Sequence, residues 1–166
     1  MEERVHVVPQ RFREVLGHLP TGVVVVAAET PAGPAGMAVN SFTSVSLEPP
    51  LVLFCPARSS TTWPGIRESG RFCANVLAGE HEALSRRFAS KGADRFAGVA
   101  WRRGACGPCI EGVVAWLDCE LEAEYEAGDH TIAVARVLGL DLEDSSVPLV
   151  FHRGSYAALA SGLSPS

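Results

Sequence analysis

The chain has 166 residues, enough for one domain with a sizeable core; 47% are hydrophobic and 20% charged. Fourteen basic against nineteen acidic side chains give a formal net charge of -5, which argues against nucleic acid as a partner because phosphate backbones need a basic surface. No apolar run approaches the roughly 18 residues of a membrane span, and the N-terminal MEERVHVVPQ lacks the apolar core of a secretion signal, so a cytoplasmic protein without a membrane partner is expected.

The elements read as follows. In QRFREVLGHLP, Phe12, Val15, Leu16 and Leu19 fall at helical spacing, and Pro20 ends the run. TGVVVVAAE is a β-branched run short enough for a buried strand. TPAGPAG reads as a turn or loop, MAVNSFTSVSL as a polar extended stretch closed by Pro49-Pro50, and LVLFC as another buried strand. SSTTWPGIRESG offers Ser or Thr caps for a short helix ended by Gly70. RFCANVL reads as a strand, and EHEALSRRFASKG as a helix ended by Gly92.

From 115 to 126 the chain alternates with a period of two. Ala115, Leu117, Cys119, Leu121, Ala123 and Tyr125 face one way, and Trp116, Asp118, Glu120, Glu122, Glu124 and Glu126 the other, a solvated acidic face. Gly128-Asp129 makes a turn into the returning strand HTIAVARVLGLDL, and PLVFHRGSY is the last strand-like segment. Adjacent strands with a few short helices predict a mainly β, largely antiparallel barrel in one domain, residues 1–166, with a core over about 10–158 and a frayed tail over 160–166.

Cys106-Gly107-Pro108-Cys109 spells the CxxC of a thiol-disulfide oxidoreductase. Such a pair needs a helix N-terminus to lower the thiol pKa. Here it leads through Ile110-Glu111-Gly112 into a strand, so a loop with a Gly-Pro turn is the simpler reading. Five cysteines without a secretion signal do not suggest a disulfide framework, and scattered histidines with one cysteine pair do not make a metal site. Walker and GxGxxG loops are absent.

Three polar clusters remain. VNSFTSVSLEPP holds Asn40, Ser41, Thr43, Ser44 and Ser46; RSSTT, residues 58–62, opens the predicted short helix; LSRRF adds Ser85, Arg86 and Arg87. Each alone reads as local backbone satisfaction or a solvated face. Together they suit a ligand with a polar chain and a phosphate.

AGMAVNSFTSVSLEPPLVLFC, RFCANVL, GDHTIAVARV and PLVFHRGSY, in this order, resemble the short-chain flavin reductases, the reductase components of two-component flavin-dependent monooxygenases. The resemblance runs from about Phe12 to Tyr156. It implies a split β-barrel of the FMN-binding type, a homodimer, FMN or FAD as the flavin, NADH or NADPH as the electron donor, and a partner oxygenase. Carried over by position, it places Asn40, Ser41, Phe42, Thr43, Ser44, Val45 and Ser46 along the isoalloxazine and ribityl chain, with Cys55, Pro56 and Ala57 continuing that wall. Ser59, Ser60 and Thr61 fall in the ribityl and phosphate region, Asn75, Val76 and Leu77 give backbone contacts, and Ser85 and Arg86 close on the phosphate. His130 is the implied catalytic residue, near the ring where nicotinamide stacks; Phe151, His152, Arg153 and Tyr156 border the nicotinamide side.

Hydride transfer from nicotinamide to flavin needs no protein nucleophile, and the residues above need only stack and orient two rings. Two other readings stay open at this level: a flavin-binding barrel with an electron-transfer or oxidase role, and a thiol-disulfide enzyme using Cys106 and Cys109.

Overall fold

A computed structural model describes residues 7–92, 94–143 and 147–160. Of the expected frayed tail, 160–166, residues 161–166 lie outside the described residues. The molecule is mainly β and antiparallel, with three short α-helices and one 3-10 turn among the described residues. Helix α1 spans Pro9–Leu16, α2 Trp63–Ser69 and α3 Glu82–Ala89. The strands are β1 (Thr21–Gly22), β2 (Val24–Thr30), β3 (Gly33–Val39), β4 (Thr43–Leu47), β5 (Pro50–Phe54), β6 (Arg71–Val76), β7 (Trp101–Arg103), β8 (Pro108–Ile110), β9 (Ala115–Ala127), β10 (His130–Leu142), β11 (Leu149–His152) and β12 (Ser155–Ala158).

Seven strands pair in the order β3-β2-β6-β9-β10-β5-β4. A second sheet is β1-β11-β12, and β7-β8 form a separate hairpin. No pairing joins β3 to β4 among the described residues, so the large sheet is an open ladder.

The apolar run of β2 explains the centre. Val24, Val26 and Ala28 enter one core cluster with Phe54, Trp63, Ile66 and Phe72. Val23, Val25 and Ala27 enter a second with Leu77, Phe88, Phe96, Ile110 and Leu149. A strand buried on both faces cannot alternate in polarity, which is why the sequence there is continuous Val and Ala.

Several boundaries differ from the sequence reading. TPAGPAG is mostly strand: only Pro31-Ala32 turns, with Gly33 at φ 110°, and β3 begins there. Gly36 lies in β3 because the Phe88 ring covers it; a Cβ there would come within 2.8 Å of that ring. Helix α3 stops at Ala89 rather than Gly92, since Ser90 is already extended. PLVFHRGSY is a hairpin, not one strand, turning through Arg153 and Gly154, both at positive φ.

The β9–β10 hairpin turns at Gly128-Asp129 as expected, with two register shifts. Cys119 is buried in the first cluster, and Leu117 and Leu121 pack against it. The acidic face is not uniformly solvated. Asp118 is buried and accepts the Cys106 N–H at 3.0 Å, because the β7–β8 hairpin covers this end of the strand. Glu120 and Glu122 pair with Arg71 and Arg136.

Candidate functional site

The end of β5 meets the β9–β10 turn. Cys55, Pro56 and Ala57 leave the strand. Thr131 N–H then donates to Pro56 O, Arg58 N–H donates to Asp129 O, and Ala57 pairs with His130 in a β-bridge. Two segments distant in sequence are thus stitched together, and His130 stands beside the Cys55–Ala57 wall. Asp129 Oδ1 lies 2.8 Å from His130 Nδ1. This hydrogen bond holds the Asp129 carboxyl below its ordinary pKa. It also places a proton on Nδ1 and leaves Nε2 for another partner.

Two adjoining clefts share Ala38 and Ala89. The first, about 190 Å³, runs over Val39, Asn40, Ser85, Phe151 and Tyr156. The second, about 210 Å³, is lined by Met37, Ala57, Ser59, Ser60, Thr61, Thr62, Lys91 and Arg95. Ser85 Oγ and Tyr156 Oη are 2.8 Å apart, tying α3 to β12. Arg95 donates to Gly36 O at 2.9 Å and to Thr62 Oγ1 at 3.1 Å, and partial burial pulls its pKa down. The N–H groups of Asn40, Ser59 and Thr61 donate to no acceptor among the described residues. A larger open hollow, about 450 Å³, lies along another face of α3 by His81, Leu84, Arg87 and Ile110, away from these donors.

Structure therefore brings Asn40, Ala57, Ser59, Ser60, Thr61, Ser85, Phe151 and Tyr156 to one groove, with Cys55, Pro56 and His130 at its border. Ser41 Oγ accepts the Cys55 N–H at 2.8 Å, fixing the wall. Phe42 stacks on Phe54 and packs against the first core cluster. Thr43, Ser44 and Ser46 lie on the edge strand β4 and pair with β5, Val45 sits at the register shift between them, and none of the four lines either cleft. Helix α2 has seven residues and is capped by Ser60 Oγ, which accepts the N–H groups of Thr62 and Trp63; the expected capping is met from two residues earlier than the helix boundary.

Other expected residues sit elsewhere. Asn75 is fully buried, and Leu77 N–H and C=O are taken by Val23 O and Leu149 N–H. Val76 O accepts the Val114 N–H. The Asn75 side chain, the Val76 carbonyl and both backbone groups of Leu77 thus bond inside the fold, and none of the three residues lines either cleft. Arg86 pairs with Glu82 at 2.9 Å and lies over the Tyr156 ring at 4.9 Å, outside both clefts. His152 faces the helix side, its ring 6.4 Å from His18, and Arg153 N–H donates to Gly17 O. Arg95 and Lys91 were missed. Their only signal was one basic residue at the end of a predicted helix and another just after it, which reads as solvated surface.

The CGPC stretch is not a loop ornament. Cys106 and Cys109 are buried, Cys109 within β8. Burial raises the pKa of both thiols, and Cys73 beside Cys109 is pushed beyond the useful range. Protonated, buried thiols are poor nucleophiles. The double variant Cys106→Ser, Cys109→Ser is expected to keep the parent's turnover within about threefold. It should lose roughly 1–2 kcal/mol of stability for placing hydroxyls in apolar surroundings. Loss of turnover with an unchanged urea midpoint would restore a chemical role to this pair.

Residues 16–160 match the family described as Flavin reductase like domain. A flavin reductase of Pseudomonas putida is 53% identical over 154 residues, covering 92% of this chain and 91% of its own. The reductase subunit HsaB of a flavin-dependent monooxygenase from Rhodococcus jostii is 44% identical, covering 91% of this chain and 78% of its own. Among solved structures, an NADH:FAD oxidoreductase of Streptomyces globisporus, in complex with NAD and FAD fragments, superposes with a TM-score of 0.88 at 35% identity, covering 96% of this chain and 99% of its own. With likeness in sequence and in fold extending over nearly the whole chain, the protein belongs to the flavin reductase like family.

Proposed function

We propose that this chain is an NAD(P)H:flavin oxidoreductase that reduces FMN or FAD and passes the reduced flavin to a separate monooxygenase. It works as a single-domain split barrel, as a homodimer and in the cytoplasm. The observation that carries this reading is the groove itself: backbone donors without a partner among the described residues, a hydroxyl shelf and a partly buried Arg95 line two adjoining clefts, with His130 bridged to Ala57 at the border. Relatives named as reductase subunits of monooxygenases support the partner. Exposed apolar side chains on α1 (Phe12, Val15, Leu16) and β10 (Leu138, Leu140, Leu142) support a second copy.

The groove fits a flavin nucleotide. Its apolar floor of Met37, Ala38 and Val39 suits a ring, and free N–H groups suit the electron-rich edge and the phosphate. Bound flavin supplies the hydride-accepting ring, and nicotinamide supplies the hydride. Arg95, partly buried, offers a charge that has lost some of its water, so an anion offsets part of what burial costs it. Ser59 and Thr61 offer N–H and O–H donors beside it. His130, its Nδ1 held by Asp129, turns Nε2 outward to position the dinucleotide.

Arg95→Ala is expected to weaken FMN by about tenfold, a loss of one charge-assisted contact, and riboflavin, which lacks the phosphate, by much less. Arg86→Ala is the comparison: the resemblance implies Arg86 at the phosphate, whereas Arg95 is the arginine that lines the cleft. Fluorescence titration of both flavins with both variants decides between them. The function as a whole is tested by anaerobic stopped-flow absorbance of protein and FMN or FAD mixed with NADH or NADPH. Rapid bleaching of the flavin band at catalytic protein concentration is expected. Bound flavin that does not bleach would move the reading to an electron-transfer or oxidase role.

A further inference from the structure

Helix α3 carries part of the groove wall: Ser85 lines the first cleft, Phe88 the second and Ala89 both. The segment just before the helix is pinned on several sides. Leu77 N–H donates to Val23 O, Leu149 N–H to Leu77 O, and Gly79 N–H to Val147 O. Ala78, between them, is fully buried, and its N–H has one acceptor among the described residues, His81 Nδ1 at 3.1 Å. His81 N–H donates back to Ala78 O at 2.9 Å, so the two residues close the 3-10 turn Gly79–His81 at the head of α3.

A backbone N–H can only donate, so Nδ1 is the bare nitrogen and the proton of the neutral ring sits on Nε2. An imidazolium carries a proton on both nitrogens and has no lone pair for Ala78. Protonation therefore breaks this contact and sets a cation against a buried donor. Burial already holds the His81 pKa below its ordinary value and outweighs the opposing pull of Glu80. Arg87 on α3 and Glu111 after β8 line the same hollow as His81. Glu82, at the head of α3, is paired with Arg86, and His152 of β11 faces His18.

We propose that His81 is a positioning residue for the flavin: its neutral ring seats the head of α3, and protonation of this one imidazole outside the groove weakens flavin binding. The inference rests on the flavin reading of the groove. A displaced helix head moves Ser85, one turn further on, together with its 2.8 Å link to Tyr156 Oη. A ligand that needs α3 seated binds the neutral form better, and by linkage its binding makes the ring harder to protonate. The sign follows. An imidazole with a lowered pKa is neutral above about pH 6.5, where affinity is full, and affinity falls as the pH drops from there through the His81 pKa.

The experiment measures Kd for FMN and for riboflavin by flavin fluorescence between about pH 7.5 and about pH 5.5, in the parent, His81→Asn and His81→Leu. Asparagine places Oδ1 where the imidazole has Nδ1 and does not titrate; leucine keeps bulk and accepts no hydrogen bond. The parent is expected to lose about tenfold in affinity for both flavins on acidification, an ordinary size for coupled sites. Riboflavin has no phosphate, so the same loss there removes the titration of the phosphate as its cause. His81→Asn should keep the affinity at neutral pH within about twofold and lose about threefold or less on acidification, while His81→Leu should be about tenfold weaker throughout. Identical pH profiles in the parent and His81→Asn overturn the proposal. A flat parent profile with weak binding by His81→Leu gives His81 a structural role alone and overturns it too. The parent tests it without any variant: the His81 ring, followed by NMR, should titrate below its ordinary value and lower still with riboflavin bound. A His81 pKa that bound riboflavin leaves unchanged overturns the proposal, whereas binding of neither flavin at any pH refutes the reading beneath it.

Discussion

Replacing His130 by alanine is expected to slow flavin reduction by roughly 10- to 100-fold, the range that loss of ring positioning produces. Flavin affinity should change by no more than about threefold, since the groove floor and its donors lie outside His130. The reason is the stitching of two segments. Ala57 pairs with His130, Thr131 N–H holds Pro56 O, and Asp129 fixes the imidazole through Nδ1. The backbone half of this arrangement survives the substitution; the side chain at the border does not. His130 is thus read as a positioning residue toward nicotinamide, and KM for NADH should rise along with the fall in rate. Asp129→Asn separates orientation from bulk. It keeps an oxygen near Nδ1 but loses the charge that orients the ring, and a smaller drop in rate with a shifted pH profile is expected. A large loss of flavin affinity with an unchanged reduction rate would instead make His130 part of the flavin wall.

Sequence reasoning reached the elements whose cause is local. A run of valines gives β2, alternating residues give β9, and Gly128-Asp129 gives its turn. It missed what is decided across the fold. Gly33 to Gly36 look like a loop, yet the ring of Phe88 needs a residue without a Cβ beneath it, so glycine sits in a strand. Asp118 sits on an acidic stripe, and only the β7–β8 hairpin above it makes it interior. The hydroxyl clusters were legible as a ligand-binding pattern because several small polar residues occur together. Arg95 was not, because its two anchors, Gly36 O and Thr62 Oγ1, come from segments far away in sequence. Arg86 drew attention for being next to Ser85, yet neighbours on a helix point about 100° apart, and only Ser85 turns into the cleft.

Asn75→Ala is expected to cost about 3–5 kcal/mol of stability, a large share of the roughly 5–15 kcal/mol a domain possesses. Asn75 is wholly buried on β6. Its Nδ2 donates to Val25 O at 3.2 Å, Cys73 O at 3.3 Å and Pro108 O at 3.1 Å, and its Oδ1 accepts the Ile110 N–H at 2.8 Å. One amide side chain thus joins β2, β6 and β8. Together with Asp118, which holds the Cys106 N–H, it latches the CGPC hairpin onto the main sheet. Alanine leaves the Ile110 N–H and the Pro108 carbonyl buried without these partners, and each orphan costs about 1–3 kcal/mol. The hairpin has little freedom to shift in response, because Gly107 is packed against Ala27 O so closely that even a methyl group would not fit. Urea unfolding measures the loss as a lowered midpoint, with the flavin affinity of the folded fraction unchanged because the residue does not reach the groove. A loss below about 1 kcal/mol accompanied by weakened flavin binding would return Asn75 to the ligand. The expected result gives the thioredoxin-like tetrapeptide a physical role: its glycine, proline and cysteines fill the space under a hairpin that two buried polar side chains hold in place.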